Sequence, residues 1–242
     1  MAKGASSCQN SVDMLRPTWR RFFCLGLVLL AIGACKSDDD PEELADADVQ
    51  GRDTNPDGVP YPTDRLGGKE RSSLAPGERI PNYSFRGYPG GDRSKGLQTI
   101  SIADYYDPQQ KRHKVLHLQL AATWCGYCSA EISATVANRD ANVARGIAYL
   151  EVIVSGVTAG FGPSQAELDG WVSQHASNID TAIDVRARRL RGIGIDPKVM
   201  PHDILIDTRT MEILDSSPGA PLDVGAYGRD GISFVDTHKP SY

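Results

Sequence analysis

Residues 114–131 read KVLHLQLAATWCGYCSAE, and this stretch decides how the rest of the chain is interpreted. Its first half alternates and is rich in aliphatic residues, which predicts a β-strand over residues 114–120. Cys125 and Cys128 follow a few residues later, and residues 129–143 have apolar side chains at roughly helical spacing. The sequence therefore predicts a strand, and then a helix with a C-x-x-C pair at its start.

A cysteine pair at the start of a helix has a specific chemistry. Free N–H groups and the helix dipole favour the thiolate at the first cysteine, and the thiolate is the nucleophile in disulfide exchange. Two intervening residues place the second sulfur within reach of a mixed disulfide, so Cys125 is predicted to attack and Cys128 to resolve. The main alternative is a structural zinc site, which needs four ligands. His113 and His117 are four residues apart, but on a strand this spacing does not bring two ligands together.

The composition limits the class of protein. The chain has 242 residues, of which 40% are hydrophobic, and this suits one globular domain with appendages. Its formal net charge is −5, so a nucleic acid is not an expected partner, because phosphate binding needs a basic surface.

The N-terminus has the pattern of a signal peptide. Four basic residues precede the apolar run Phe22–Ala34, which is 13 residues long. A membrane-spanning helix needs about 20 apolar residues, so this run is too short to span. We predict a signal peptide over residues 1–34, with Met14 as an alternative start that would give a signal of more usual length.

The end of the apolar run resembles the lipobox of bacterial lipoproteins. Ile32-Gly33-Ala34-Cys35 has an aliphatic residue and two small residues before a cysteine. In that family the cysteine is lipidated and becomes the first residue of the mature chain, and several acyl chains anchor a protein stably. The resemblance implies lipidation at Cys35 and a place in the cell envelope facing the periplasm. Lys36 after the cysteine favours the outer membrane over the inner one.

The same resemblance limits the pairing of the cysteines. Cys8 and Cys24 would leave with the signal peptide, and Cys35 would carry the lipid. Cys125 and Cys128 would then be the only free thiols, and in an oxidising compartment they have one possible pairing.

The rest of the chain divides into a tether and a folded domain. Residues 35–76 are rich in Asp, Glu, Pro, Gly and Arg and lack apolar periodicity, so we predict a disordered, solvated tether. The folded domain is predicted over residues 77–242, and Ile80–Phe85 is predicted to be an edge segment. The remaining predicted elements are strands near 99–102, 147–154, 182–184, 203–207 and 211–214, helices over 164–175 and 185–191, and a weak helix signal after Pro218. This order predicts an α/β fold with a mostly parallel central sheet, an antiparallel hairpin at its edge and flanking helices.

A family resemblance covers about residues 77–214. The segment Leu120–Glu131 resembles the signature of membrane-anchored thioredoxin-like proteins of the TlpA/redoxin group, which reads roughly F-W-A-T-W-C-x-x-C-x-x-E. Met200-Pro201 resembles the cis-proline of that family, and Ile80–Tyr83 resembles the segment that opens redoxin domains. The resemblance implies the thioredoxin superfamily and a thioredoxin fold.

The resemblance also implies roles for single residues. Pro201 would be cis and face the disulfide, with the Met200 backbone available to an extended substrate. Glu131 would assist proton transfer near Cys128, the alternative being a solvated residue in the first turn of the helix. Gln119 stands where thioredoxin has a buried Asp, so that proton path would be absent.

The activity implied by the resemblance is thiol–disulfide exchange on exported protein thiols, with reduction as the favoured direction. The Cys125–Cys128 disulfide would itself be the redox group, so no other cofactor is expected. The partners would be exported protein thiols or disulfides and an electron donor in the envelope. The Gly-Tyr dipeptide between the cysteines also resembles that of some periplasmic disulfide isomerases, so the direction of electron flow stays open.

Two alternative functions remain. Copper carriage would use Cys125, Cys128 and His202, which follows the proline where many relatives have Thr and could touch the cysteines. Copper-delivering relatives, however, space their cysteines one residue wider. A thiol peroxidase would need P-x-x-x-T-x-x-C, and Leu118 and Ala122 stand where its Pro and Thr should be.

Overall fold

The computed structural model describes residues 49–63 and 74–240. The predicted signal peptide, the predicted lipidation site Cys35 and much of the predicted tether lie outside these residues. None of the helices within the two described ranges combines the length and the apolar character that crossing a membrane requires.

Seven strands and three α-helices make up the described part of the chain. In chain order they are β1 (Ser84–Tyr88), β2 (Gln98–Ser101), β3 (Val115–Ala122), α1 (Gly126–Val143), β4 (Ile147–Ser155), α2 (Gln165–His175), β5 (Asp180–Ile183), β6 (His202–Asp207), β7 (Glu212–Pro218) and α3 (Val224–Thr237). Short 3-10 turns lie between them, among them Ile102–Tyr105 and Leu190–Ile193.

All seven strands belong to one sheet, in the order β2-β1-β5-β4-β3-β6-β7. The pairs β3–β4 and β4–β5 are parallel, and the other four pairs are antiparallel. The prediction of an α/β fold with an antiparallel hairpin and flanking helices is confirmed, but the sheet is not mostly parallel. Its parallel centre has antiparallel strands on both sides, because β1 and β2 join the sheet beside β5 as a second antiparallel pair.

The two faces of the sheet carry two separate cores. Even-numbered residues of β3 and β4, such as Leu118 and Leu150, pack with Tyr61, Ile102 and Leu190. Odd-numbered residues of the same strands pack under the helices. The second core includes Ile132 from α1, Leu168 from α2 and Val235 from α3. The disulfide belongs to this second, helix-covered core, so the side chains beneath it come from the odd positions of the central strands.

Two of the helices show why the sequence signal was strong in one case and weak in the other. Helix α2 lies where the sequence predicts a helix over residues 164–175, and it begins after Ser164, which forms a capping box with Glu167. Helix α3 lies close to the sheet, and a Cβ added at Gly228 would be 2.4 Å from Ile147 Cδ1, while one at Gly231 would be 2.3 Å from Leu205 Cδ2. These glycines allow the close contact and lower the helix propensity at the same time.

Residues 49–63 pack against the domain, so the prediction of a solvated tether does not hold for them. Tyr61 is buried in the first core, and its hydroxyl donates to the backbone oxygen of Ile80 at 2.5 Å. The Asn55 side-chain amide donates to the backbone oxygen of Tyr106 at 2.9 Å. Arg52 adds backbone hydrogen bonds to Ser101 and Asn82, so several contacts hold a stretch whose overall composition is that of a linker.

The segment before β1 differs in part from its prediction. Residues 77–80 run beside β7, where Gly77 N–H donates to Ile213 O at 2.9 Å and Ile80 N–H donates to Met211 O at 3.0 Å. The strand itself begins at Ser84 and lies between β2 and β5, so it is an interior strand and not an edge. Pro81 falls between these two pairings, where its missing N–H costs no ladder hydrogen bond.

Candidate redox site

The two cysteines lie where β3 ends and α1 begins, and they form a disulfide. Cys125 is the N-cap residue of α1, and the backbone N–H of Cys128 donates to Cys125 Sγ at 3.0 Å. Both residues are almost fully buried, with 3% and 1% of their surface exposed. One N–H group of the first helical turn therefore donates to the Cys125 sulfur, and a hydrogen bond of this kind at a helix N-terminus stabilises a thiolate once the disulfide is opened.

Trp124 fixes the segment that leads into the disulfide. Its indole N–H donates to Ser155 Oγ at 3.2 Å, and the backbone N–H of Thr123 donates to Ser155 O at 3.0 Å. Ser155 ends the parallel neighbour β4, so the chain around Cys125 is held to the C-terminal end of the central strands. Trp124 keeps 38% of its surface exposed.

The proline loop lies against the same core. The Met200–Pro201 peptide bond is cis, as the resemblance implies. Met200 packs against the cluster that contains both cysteines, and His202, the residue after the proline, is paired with Leu120 of β3. Strand β6 thus brings Pro201 to the end of β3 at which the disulfide lies.

A row of polar side chains crosses the sheet beneath α1. Gln119 of β3 is paired with Asp203 of β6 on one side and with Glu151 of β4 on the other. All three are buried, and they occupy odd positions of adjacent strands, so they share the helix-covered face. The indole N–H of Trp171 on α2 donates to Glu151 Oε2 at 2.9 Å. Burial raises the pKa of Glu151 from 4.5 to about 8.

Glu131 on α1 lies over this row. Its Oε1 accepts a hydrogen bond from Gln119 Nε2 at 2.9 Å, and the same amide contacts Thr135 Oγ1 at 3.0 Å. Only 5% of Glu131 is exposed, so it is not a solvated residue of the first turn. Burial, and then the neighbouring Asp203, raise the pKa of Glu131 to about 8, because both disfavour its carboxylate.

Asp203 connects Glu131 to a buried histidine. His117 Nε2 lies 2.6 Å from Asp203 Oδ1, and both residues are buried. Burial lowers the pKa of His117 to about 4, so the ring is neutral, and it raises the pKa of Asp203 to about 7. Possible ligand atoms of His117, Glu131 and Asp203 lie within 4.8 Å of one another. Ligands of a tetrahedral zinc would be about 3.4 Å apart, so the 2.6 Å contact fits a hydrogen bond better than a metal shell.

No protein-family model matches this sequence, and no curated protein does. Solved structures match it with low identity. A Chlorobium tepidum protein provisionally named the thiol:disulfide interchange protein DsbE is 21% identical, over 67% of this chain and 99% of its own, with a TM-score of 0.50. A secreted thiol-disulfide isomerase from Corynebacterium glutamicum is 15% identical over 66% and 86% (TM-score 0.50). AhpC from Enterococcus faecalis is 11% identical over 70% and 98% (TM-score 0.51).

This chain has the thioredoxin fold. The predicted fold is thereby confirmed. At these identities the likeness concerns the fold alone, and the chemistry must be argued from the side chains that the fold brings together.

The described hydrogen bond of the His202 side chain is to β7 and not to the cysteines. Its Nε2 lies 2.8 Å from Ser216 Oγ on β7, and burial lowers the pKa of its ring. Within residues 49–63 and 74–240, the one group of three or more side chains suited to a metal ion contains no cysteine. The donor set that copper carriage requires is therefore not assembled in this disulfide form.

Three residues of the buried network were missed from the sequence: His117, Glu151 and Asp203. Each is a buried polar residue of a central strand, at a position where alternation places it on the helix-covered face. The sequence signal that could have found them is their odd numbering within the strands, which places them on the same face as the apolar side chains beneath the helices. Their meeting also depends on the strand register, which the sequence pattern does not contain.

Proposed function

We propose that this protein is an extracytoplasmic thiol–disulfide oxidoreductase that acts through Cys125 and Cys128. The observation that carries the proposal is the disulfide at the mouth of α1, next to the cis Met200–Pro201 bond and above a buried carboxyl, Glu131. These are the parts that disulfide exchange uses: a nucleophile at a helix N-terminus, a resolving thiol, a backbone for an extended substrate and a proton acceptor.

In the reducing direction, the Cys125 thiolate attacks a substrate disulfide. The first substrate sulfur leaves with its electron pair and takes a proton from water. Cys128 then gives its proton to the Glu131 carboxylate and attacks Cys125 Sγ, which releases the second substrate sulfur as a thiolate. Two electrons pass to the substrate, and the Cys125–Cys128 disulfide remains with a proton on Glu131. A dithiol donor in the envelope would reverse the last steps.

The surface around the disulfide supports protein substrates. Trp124, Tyr127, Val157, Phe161 and Val199 are large apolar side chains that are exposed. Trp124 and the loop after β4, which carries Val157 and Phe161, share Ser155 as a hydrogen-bond partner, and Val199 precedes the cis Met200–Pro201 bond. Phe161 is held there by its backbone oxygen, which accepts from Gly156 N–H at 2.6 Å. An exposed apolar rim of this kind suits the apolar stretches of unfolded or extended chains.

We further propose that the mature protein is tethered to the membrane by lipid on Cys35, with the outer membrane favoured. The support is the lipobox-like Ile32-Gly33-Ala34-Cys35. Incorporation of radiolabelled palmitate into the full chain, and its loss in Cys35→Ser, tests this point. Unlabelled wild-type protein would rule the anchor out.

An insulin-reduction assay with dithiothreitol tests the central activity. The wild type should accelerate precipitation of the insulin B chain, and Cys125→Ser should not. Cys128→Ser should instead accumulate a mixed disulfide with the substrate, because the resolving thiol is missing. Equal rates for the wild type and Cys125→Ser would contradict the proposal.

The direction and the competing functions need separate measurements. A reduction potential near −270 mV, about that of thioredoxin, favours a reductant, and one near −120 mV, about that of DsbA, favours an oxidant. Consumption of hydrogen peroxide would indicate a thiol peroxidase, which the fold likeness to AhpC makes worth testing. A tight one-to-one Cu(I) complex of the reduced protein would indicate copper carriage.

A further inference from the structure

A path of buried polar groups lies beneath α1 and runs from Glu131 to Asp203 and His117. Cys128 and Glu131 are three residues apart on α1, so their side chains lie on the same face of the helix. Glu131 is close to Asp203, and Asp203 is hydrogen-bonded to His117 at 2.6 Å. The inference drawn from this path rests on the proposed function and concerns how that site handles its proton.

Two buried atoms of the path, His117 Nδ1 and Asp203 Oδ2, have no hydrogen-bond partner among the described residues, and Asp203 Oδ2 is the one that faces Glu131's side of the path. Asp203 Oδ1 is occupied by His117. Glu131 uses Oε1 for Gln119, which leaves its second oxygen for Asp203. Two carboxylates at this distance repel each other, whereas a carboxylic acid and a carboxylate form a strong hydrogen bond. A single proton between them removes both the repulsion and the unsatisfied oxygen.

The surroundings decide on which residue this proton lies. His117 is neutral and can donate its Nε2–H to Asp203, which stabilises the carboxylate at Asp203 and not at Glu131. The titratable side chains that face this pair from the packed elements are His117 on β3, Glu151 and Tyr149 on β4, Asp215 on β7 and Tyr227 on α3. None of them is a lysine or an arginine, so nothing among them compensates a second negative charge at Glu131.

We propose that Asp203, held by His117, keeps a proton on Glu131 in the oxidised protein, and that Glu131 gives this proton to Cys128 when the disulfide is opened. Asp203 and His117 are positioning residues, since neither touches the reacting sulfur atoms. The pKa of about 8 for Glu131 and of about 7 for Asp203 agree with this placement of the proton near neutral pH.

The step balances with a dithiol as the electron donor. A donor thiolate forms a bond to Cys125 Sγ, and the Cys125–Cys128 bond breaks. Cys128 Sγ leaves with the electron pair and takes the proton from Glu131. The second donor thiol loses its proton to water and displaces Cys125 as a thiolate, so the donor becomes a disulfide. Glu131 is left as a carboxylate beside Asp203, which makes it a stronger base for taking the same proton back.

The test is the pH dependence of disulfide opening by dithiothreitol in the full-length protein. This rate is divided by the rate at which dithiothreitol reduces oxidised glutathione at the same pH. The ratio no longer contains the titration of dithiothreitol itself. The wild-type ratio should be high at neutral pH and fall with a midpoint near the pKa of Glu131, about 8. Asp203→Asn should move the midpoint down by about one pH unit or more, because the neighbouring negative charge is gone. Glu131→Gln should abolish the midpoint.

Glu151→Gln is the matched control. Glu151 is an equally buried carboxyl on the opposite side of Gln119, but its partner is Trp171 and it is not in the path. The midpoint of the Glu151→Gln variant should move clearly less than that of Asp203→Asn, because Glu151 interacts with Glu131 only through space, after the burial that dominates its own pKa. An unmoved midpoint in Asp203→Asn, or an equal shift in Glu151→Gln, would overturn the proposal. So would stoichiometric zinc in the purified wild type that is lost in Asp203→Asn, because the cluster would then hold a metal ion.

A measurement on the wild type avoids the risk that Asp203→Asn does not fold. Nitrogen NMR of His117 should show the tautomer with the proton on Nε2, and the opposite tautomer would contradict its role as the donor to Asp203. The proposed function fails independently of this inference. If insulin is not reduced but the midpoint shifts in Asp203→Asn, only the proposed function is contradicted. If insulin is reduced but the midpoint does not shift in Asp203→Asn, only the proposal on the proton is contradicted.

Discussion

Replacing the buried Glu151 by glutamine should change how the stability of the protein depends on pH. Glu151 is 1% exposed, and the indole of Trp171 is its hydrogen-bond donor. Glutamine keeps the shape of the side chain and an oxygen for this indole, but it cannot ionise. The substitution therefore isolates the free energy of burying a charge at this point of the central strand β4.

The structure sets the sign and the size of the effect. Burial raises the pKa of Glu151 from 4.5 in the unfolded chain to about 8 in the folded one. Between these values the unfolded chain loses a proton that the folded protein keeps, so the free energy of unfolding falls as the pH rises. The span is about 3.5 pH units at about 1.36 kcal/mol each, so the full loss above pH 8 is about 5 kcal/mol.

Urea unfolding of the oxidised protein, followed by tryptophan fluorescence between about pH 5 and pH 9, measures this loss. Glu151→Gln and the wild type should differ by about 1 kcal/mol or less near pH 5. By pH 9 the glutamine variant should be more stable by about 5 kcal/mol, since only the wild type ionises. Asp230→Asn, at an exposed position of α3, should run parallel to the wild type. A constant difference between Glu151→Gln and the wild type over the whole range would refute the reasoning.

Three further substitutions test the packing in the same unfolding assay. Gly228→Ala should destabilise the protein by about 1–3 kcal/mol, because its Cβ would lie 2.4 Å from Ile147 Cδ1. Gly170→Ala, in open space on α2, should be neutral or stabilising by up to about 1 kcal/mol. Equal effects of the two substitutions would contradict the close contact between α3 and the sheet. Tyr61→Ala should lower the free energy of unfolding by about 3 kcal/mol, because this buried ring packs residues 49–63 against the core. Tyr127→Ala, at an exposed position, should lower it by less than about 0.5 kcal/mol. No loss of stability in Tyr61→Ala would favour the solvated tether for residues 49–63. Ser164→Ala should cost about 1 kcal/mol by removing the N-cap of α2, and no change would mean that Glu167 alone holds the first turn.

The parts of the fold that the sequence predicts well are local. The alternation of β3, the cysteine pair at the start of α1 and the capping box at Ser164 each depend on residues a few positions apart. The position of β1 inside the sheet, between β2 and β5, depends on pairings over about 100 residues, which no local pattern records. The strands were therefore predicted approximately correctly, but the prediction that most of them pair in parallel was wrong.

The candidate site divides along the same line. Cys125, Cys128 and Glu131 stand in one recognisable motif and Pro201 in a second short resemblance, so local sequence is sufficient to predict them. Asp203 and Glu151 are visible only once the register places them on either side of Gln119. The absence of the buried Asp from the position of Gln119 suggested that a proton path was missing, whereas the neighbouring strands supply carboxyl groups to the same place.

The pairing of residues 77–80 with β7 has a consequence for solubility. Exposed strand edges invite another chain to add to the sheet. Here the outer side of β7 is already occupied near Met211 and Ile213, and the opposite edge strand, β2, is only four residues long. Both edges of the sheet therefore offer few free backbone groups, which discourages aggregation by strand addition.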